Sequence, residues 1–162
     1  MIVKTLDHIA INVSDTQRSL DFYCGIFGLK QTEQHHLEGD EVDRMTGLKG
    51  VHAQSTRLAA PETPNILIDL LEFISPKGKK TNGVMGDVGH THFCLGVANL
   101  PETCKELKGK GVEFVSDPCT FDLGWGIVRV VFCKDPDGNI VELHEIPIQR
   151  KDGKTNEHAR SY

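Results

Sequence analysis

Long apolar runs are missing from this chain. The opening residues, MIVKTLDHIAINV, contain no stretch long enough for a signal-peptide core, and no later segment approaches the roughly 20 apolar residues of a membrane-spanning helix. No membrane association is expected, and the expected compartment is the cytoplasm. Concentrated positive charge is missing as well: the formal net charge is -5 and the Lys and Arg residues form no run. Nucleic acid or an anionic membrane surface needs a basic patch, so the expected partner is a small molecule and not a nucleic acid. Paired cysteines are the third absence. Cys24, Cys94, Cys104, Cys119 and Cys133 are odd in number, widely spaced and without a Cys-x-x-Cys motif, which argues against a disulfide framework or a zinc clip. They read as reduced thiols, several of them small core hydrophobes rather than catalytic groups.

What is present is 38% hydrophobic residues in 162, enough for one sizeable core or for two small modules that share one. The chain also repeats itself. Residues 7–13 read D-H-I-A-I-N-V and residues 91–97 read T-H-F-C-L-G-V, two apolar strands with histidine in the same place. A helix signal follows each. Ser14 and Asp15 offer a cap ahead of Leu20, Phe22, Tyr23, Ile26 and Phe27, and Gly28 stops the run. In the second half Asn99 caps, Pro101 sits near the first helical position, Cys104 and Leu107 face inward, and Gly111 ends the helix.

Strand-like stretches come next, at 28–34, 52–59 and 66–73 in the first half and at 112–115, 126–133 and 139–146 in the second. The segment from Asp135 to Asn139 is a strong turn, because Pro136 fixes φ, Gly138 is free to take positive φ and the Asp side chains close local hydrogen bonds. The order β-α-β-β-β therefore occurs twice. The expected fold is α+β: two tandem βαβββ modules forming a curved mixed sheet around a metal-containing cavity. A Gly- and Lys-rich aperiodic stretch from Ser75 to Val88 separates them. The expected boundaries are 1–80 for the first module, 81–89 for the linker, 90–147 for the second module and 148–162 for a polar, disordered tail. Small sheets of this kind expose edges that need covering, which predicts a homodimer.

The last strands of the two halves, L-I-D-L-L-E-F and I-V-E-L-H-E-I, align Asp69 with Glu142 and Glu72 with Glu145. Strand side chains alternate faces, so a His near the start of one strand and a carboxylate on another reach one concavity when both lie on its inner face. Duplication doubles that geometry and predicts one divalent ion held by His8, Asp69, His92 and Glu142. Imidazole with carboxylate suits Zn, Ni, Co, Mn or Fe. Taken singly, a strand His is more often a satisfied core or surface residue, and a strand-end Glu is usually solvated. The joint recurrence is what points to a metal. Asp69 reaches about 1.5 Å less than Glu would. With it coordinated, two carboxylates neutralise the ion; without it, His8, His92 and Glu142 leave open positions as in non-haem iron oxygenases.

Glu72 and Glu145 stand three positions beyond the proposed ligands, so alternation puts them on the opposite face. His35, His36, His90 and His144 read as surface residues or as neighbours of ligands. Arg57, Trp125 and Arg129 lie on or beside predicted strands and are candidates to line a pocket for an anionic or extended substrate.

At D-H-I-A-I-N-V, I-D-L-L-E-F, G-H-T-H-F-C-L-G-V and D-P-D-G-N-I-V-E-L-H-E the chain resembles the vicinal oxygen chelate superfamily, which includes glyoxalase I, methylmalonyl-CoA epimerase, fosfomycin-resistance enzymes and extradiol dioxygenases. The likeness runs from Thr5 to Ile146 and implies metal ligands at His8, Asp69, His92 and Glu142. Two departures stand out. Asn12 occupies the place where bacterial glyoxalase I carries an Arg that helps to hold glutathione, and I-D-L-L-E-F replaces the I-E-L-L-E-Y of many relatives at the ligand itself. The resemblance implies a metal-dependent lyase or isomerase acting on a small carbonyl or thioester substrate through an enediolate or enolate, with Glu142 and Asp69 as the proton-transferring carboxylates. The alternatives are an Fe(II)-dependent extradiol-type dioxygenase and a non-catalytic drug-binding protein.

Overall fold

The first apolar segment, residues 8–13, extends because Ile9, Ile11 and Val13 alternate with smaller or polar residues. A computed structural model describes residues 2–81, 83–123 and 126–148, in two compact units, Met1–Asn82 and Gly83–Tyr162. In the first unit β1 (His8–Val13) leads into α1 (Thr16–Leu20), which widens into a π-helical stretch (Asp21–Ile26). There follow β2 (Lys30–Glu38), α2 (Asp40–Thr46), β3 (His52–Ala60) and β4 (Thr63–Ser75). Asp15 caps α1 by accepting from Arg18 N at 2.9 Å. The sheet order is β1-β4-β3-β2, with β1 parallel to β4 and the other pairs antiparallel.

The second unit repeats this topology. Strand β5 (His92–Val97) precedes α3 (Leu100–Gly109), then β6 (Cys119–Asp122), β7 (Ile127–Lys134) and β8 (Ile140–Ile148). Its sheet order is β5-β8-β7-β6, again with the first pair parallel and the rest antiparallel. Asn99 caps α3 by accepting from Glu102 N at 3.1 Å. Two tandem βαβββ modules of α+β class are therefore present.

Each unit has its own core. In the first, Tyr23, Leu58 and Leu70 are wholly buried, and Phe22 meets Tyr23 and Phe27 edge-on at centroid distances of 5.0 and 4.7 Å. In the second, Leu100, Cys104 and Leu107 form the buried stripe of α3, and Val131, Cys133, Val141 and Leu143 are buried on β7 and β8. Each large apolar side chain removed from water in this way contributes about 1.5–3 kcal/mol. All five cysteines are free, and burial pushes the Cys133 thiol up to about 12.

Three features differ from the sequence-based expectation. Helix α2 lies between the stretches 28–34 and 52–59, where no helix is expected. It buries no residue, so it has no apolar period to display, and its stability rests on acidic residues in the first turn and on Asp43, which accepts from Gly50 N at 2.7 Å and Val51 N at 2.8 Å. Residues 112–115 contribute only an isolated bridge, Phe114 with Cys133, and the edge of the second sheet is β6, whose four residues are all exposed and so carry no alternation. Third, β2 runs on to Glu38. Of the tail 148–162 only Ile148, the last residue of β8, lies within the described residues, and Trp125 lies outside them. No helix among the described residues is long and apolar enough to cross a membrane.

Candidate functional site

The strand registers place the candidate ligands. In the first sheet His8 lies opposite Leu67 and Ala10 opposite Asp69. In the second, His92 lies opposite Ile140 and Cys94 opposite Glu142. Each carboxylate thus stands one pleat repeat beyond its histidine on the neighbouring parallel strand, and on the same face. The equivalence of the two halves holds at the level of backbone pairing.

In the second unit the two side chains meet: His92 Nε2 is 3.2 Å from Glu142 Oε2. Two donor atoms each about 2.1 Å from a shared cation stand roughly 3.0 Å apart at a right angle and roughly 3.4 Å apart at a tetrahedral one. The observed separation falls between these, so the pair fits adjacent positions on one divalent ion. Phe132, opposite Glu142 in the register, meets the His92 ring edge-on at 5.1 Å and limits its rotation. Cys94 shares this face. Partial burial and the neighbouring Glu142 carboxylate push its thiol up to about 11, so at neutral pH it is a protonated thiol and not a thiolate. His144, two residues beyond Glu142, keeps a buried Nε2 with no hydrogen-bond partner among the described residues.

In the first unit Asp69 is only 7% exposed, and Ser55 Oγ donates to its Oδ1 at 2.7 Å. Arg57 is directly opposite Asp69 in the β3–β4 register and shares its face. Its guanidinium is engaged by carboxylates, with Nη1 3.2 Å from Glu33 Oε2 and Nη2 4.0 Å from Asp7 Oδ2. His35 Nε2 lies 3.1 Å from the same Glu33 oxygen. Bonding to His35 and the Arg57 charge together hold the Glu33 carboxyl below its ordinary range. His8 Nδ1 is 2.7 Å from Asp7 Oδ2, and this bond, with Arg57 nearby, likewise holds the Asp7 carboxyl down.

The second carboxylate on each last strand has a different task. Glu72 Oε2 accepts from Thr16 N at 2.8 Å and from Thr16 Oγ1 at 2.7 Å, at the head of α1. Glu145 Oε2 accepts from Leu100 N at 2.9 Å, at the head of α3, and its Oε1 accepts from Arg129 Nη1 at 2.9 Å. Both acids therefore satisfy helix N-terminal amides from the far face of their sheet. Arg129 lies with Glu145 on that face, turned away from Glu142.

Within neither unit, among the described residues, do three His, Cys, Asp or Glu side chains converge on one point. Three residues beyond the sequence reading touch the candidate ligands, Asp7, Ser55 and Phe132. Asp7 was legible as the neighbour of His8. Ser55 becomes visible only through the register that sets it beside Leu71, diagonal to Asp69.

The family model described as Glyoxalase/Bleomycin resistance protein/Dioxygenase superfamily matches residues 5–143. The chain is 28% identical over 149 residues to a lactoylglutathione lyase of Schizosaccharomyces pombe, covering 88% of this chain and 48% of that one, so it spans about half the length of the yeast protein. It is 27% identical over 136 residues to a probable lactoylglutathione lyase of Synechocystis, with 84% and 91% covered. Against a lactoylglutathione lyase of Pseudomonas aeruginosa the identity is 26% over 157 residues, with 91% and 86% covered. Among solved structures, a glyoxalase family protein from Bacillus cereus superposes with a TM-score of 0.76 at 20% identity, covering 90% of this chain and 97% of that one. Glyoxalase I of Leishmania major gives 0.61 at 21% identity, with 88% and 87% covered. At such identities the likeness between structures shows the fold.

Proposed function

Because this chain belongs to the glyoxalase/bleomycin resistance protein/dioxygenase superfamily, we propose that it is a divalent-metal-dependent lyase or isomerase that moves a proton beside the carbonyl of a small substrate. The residues that would hold metal are His8 and Asp69 in the first unit and His92 and Glu142 in the second. The supporting observation is one histidine and one carboxylate at the same register in both sheets, joined at 3.2 Å in the second.

When bound, the ion supplies Lewis-acid polarisation of a substrate oxygen, which acidifies the adjacent C–H. The side chains do the rest. Glu142, one-fifth exposed, takes the proton as carboxylate and returns it as acid to the neighbouring atom of an enediolate or enolate. Asp69 is its counterpart, with one carboxylate oxygen fixed by the Ser55 hydroxyl. Phe132 beside His92 keeps water from that flank and strengthens the electrostatics there.

Relatives named lactoylglutathione lyase point to thiohemiacetals of 2-oxoaldehydes as the substrates to offer first. Asn12 has no charge with which to hold a glutathione carboxylate, so a thiol other than glutathione is part of the proposal. The test is elemental analysis of protein purified without chelator, with His8→Ala and Glu142→Ala alongside. Thioester formation is then followed for methylglyoxal with glutathione and with smaller thiols, under each of Zn, Ni, Co, Mn and Fe. Bound ion in the wild type, diminished in both variants together with turnover, is the expected result. Full metal content in both variants overturns it, as does oxygen uptake with catechols under iron in the absence of any thioester formation.

A further inference from the structure

The two candidate histidines are not supported alike. His92 is preceded by Thr91 and packs against Phe132. His8 is preceded by Asp7, whose Oδ2 lies 2.7 Å from the His8 Nδ1. Asp has an ordinary pKa near 3.9 and is ionised at neutral pH. A carboxylate is an acceptor only, so at this distance Nδ1 must carry the hydrogen and donate it. In a neutral imidazole the other nitrogen, Nε2, then bears the lone pair, which is what a metal ligand requires.

An exposed aspartate next in sequence would be a loose partner if nothing held it. Here Arg57 reaches across from β3, with Nη2 4.0 Å from the same Asp7 oxygen, and is itself anchored through Nη1 to Glu33 at 3.2 Å. His8, Asp7, Arg57 and Glu33 thus form one chain of hydrogen-bonded and ion-paired groups in the first unit. Two carboxylates around one guanidinium leave Arg57 little attraction for a further anion, so it serves as the anchor of Asp7 and not as a receptor for substrate.

We infer that Asp7, restrained by Arg57, is a positioning residue that fixes the Nδ1–H tautomer and ring orientation of His8 and so presents Nε2 to the divalent ion. This rests on the proposed role of His8 as a ligand. It assigns Asp7 no contact with substrate. The carboxylate partner of a metal-ligating histidine raises the basicity of the ligand, and its loss weakens metal binding about 10–100-fold.

Two measurements on the full chain test this. The first uses no metal: the ¹⁵N shifts of the neutral His8 ring in metal-free protein. Wild type should show a protonated Nδ1 and a bare Nε2, and Asp7→Ala should move the population towards the Nε2–H form. The second is Zn²⁺ affinity by chelator competition for wild type, Asp7→Ala, Asp7→Asn, Arg57→Met and His8→Ala. Asp7→Ala should weaken binding about 10–100-fold, with Asp7→Asn, which keeps an acceptor but no charge, and Arg57→Met falling between it and wild type. If His8→Ala weakens binding and Asp7→Ala does not, the inference about Asp7 fails while the proposed ligand set stands. If His8→Ala leaves affinity unchanged, the ligand set itself fails. A wild-type His8 in the Nε2–H form also overturns the inference, whatever the affinities.

Discussion

Glu142 and Glu145 stand three residues apart on one strand and should fail in opposite ways when removed. Glu145 is 5% exposed. Its bond to Leu100 N, a hydrogen bond to a charged group at a buried helix head, stabilises by about 1.5–3 kcal/mol. Its pair with Arg129 counts for less, up to about 1 kcal/mol, because the arginine side chain is one-third exposed. Glu145→Ala should therefore cost about 2–4 kcal/mol of unfolding free energy. At a urea slope near 2 kcal/mol/M that lowers the midpoint by roughly 1–2 M. Glu142 pairs with a His92 side chain that is 43% exposed, so Glu142→Ala should cost no more than about 1 kcal/mol in metal-free protein. Unfolding is followed by far-ultraviolet circular dichroism through urea denaturation. Zn²⁺ affinity is measured in parallel, at urea concentrations where every variant is folded. Destabilisation without metal loss in Glu145→Ala, and metal loss without destabilisation in Glu142→Ala, is the expected cross-over. A Glu145→Ala variant whose unfolding free energy stays within about 0.5 kcal/mol of wild type, or that loses metal as fully as Glu142→Ala, would refute the assignment of the two acids to opposite faces.

Chelation should abolish turnover, and restoring ion at a hundred times its Kd should add about 2.7 kcal/mol to stability, read as a rise in Tm. Leu70→Ala, in the fully buried heart of the first unit, should cost about 2–5 kcal/mol without changing metal affinity in the folded protein, which calorimetry and chelator competition can check. Cys133 should make the protein alkali-sensitive. Its folded thiol sits at about 12 whereas an unfolded thiol titrates at about 8.5, so between these values the unfolded chain binds fewer protons and stability falls as pH rises, by up to about 1.4 kcal/mol per unit. A Cys133→Ala variant should show a shallower loss between pH 9 and pH 11, roughly the window those two values bracket; an unchanged slope would count against the burial argument.

Burial marks Cys104 and Leu107 on α3 and Phe93 on β5, whereas β1, of which only Val13 is buried, was legible from its apolar alternation and its repeat in β5, and the turn at Pro136–Gly138 from its residue chemistry. Helix α2 and strand β6 bury nothing or nearly nothing, so no period marked them, and 112–115 carried the apolar look of a strand without forming one. At the candidate site the separation of Glu142 from Glu145 followed from strand alternation alone. Arg129 was harder. Its face depends on which residue of β8 it opposes, and a register shift between Ile127 and Arg129 hides that from any count along the chain. The Ser55–Asp69 bond joins residues fourteen apart and needs the β3–β4 pairing before it can be seen.

On both last strands an acid facing the candidate site is followed, three residues later, by an acid tied to a helix amide. That odd spacing makes each strand a single indivisible instruction. Inserting or deleting one residue between the two acids would turn one of them to the wrong side, unseating either the chemistry or the helix. Descendants of such a chain are free to remodel the hairpins and the segments joining the modules, where length is cheap. The two strands themselves can accept substitution but not a change of length, so indels within 69–72 and 142–145 should be the rarest class of variant that a library of random insertions recovers in folded, active form.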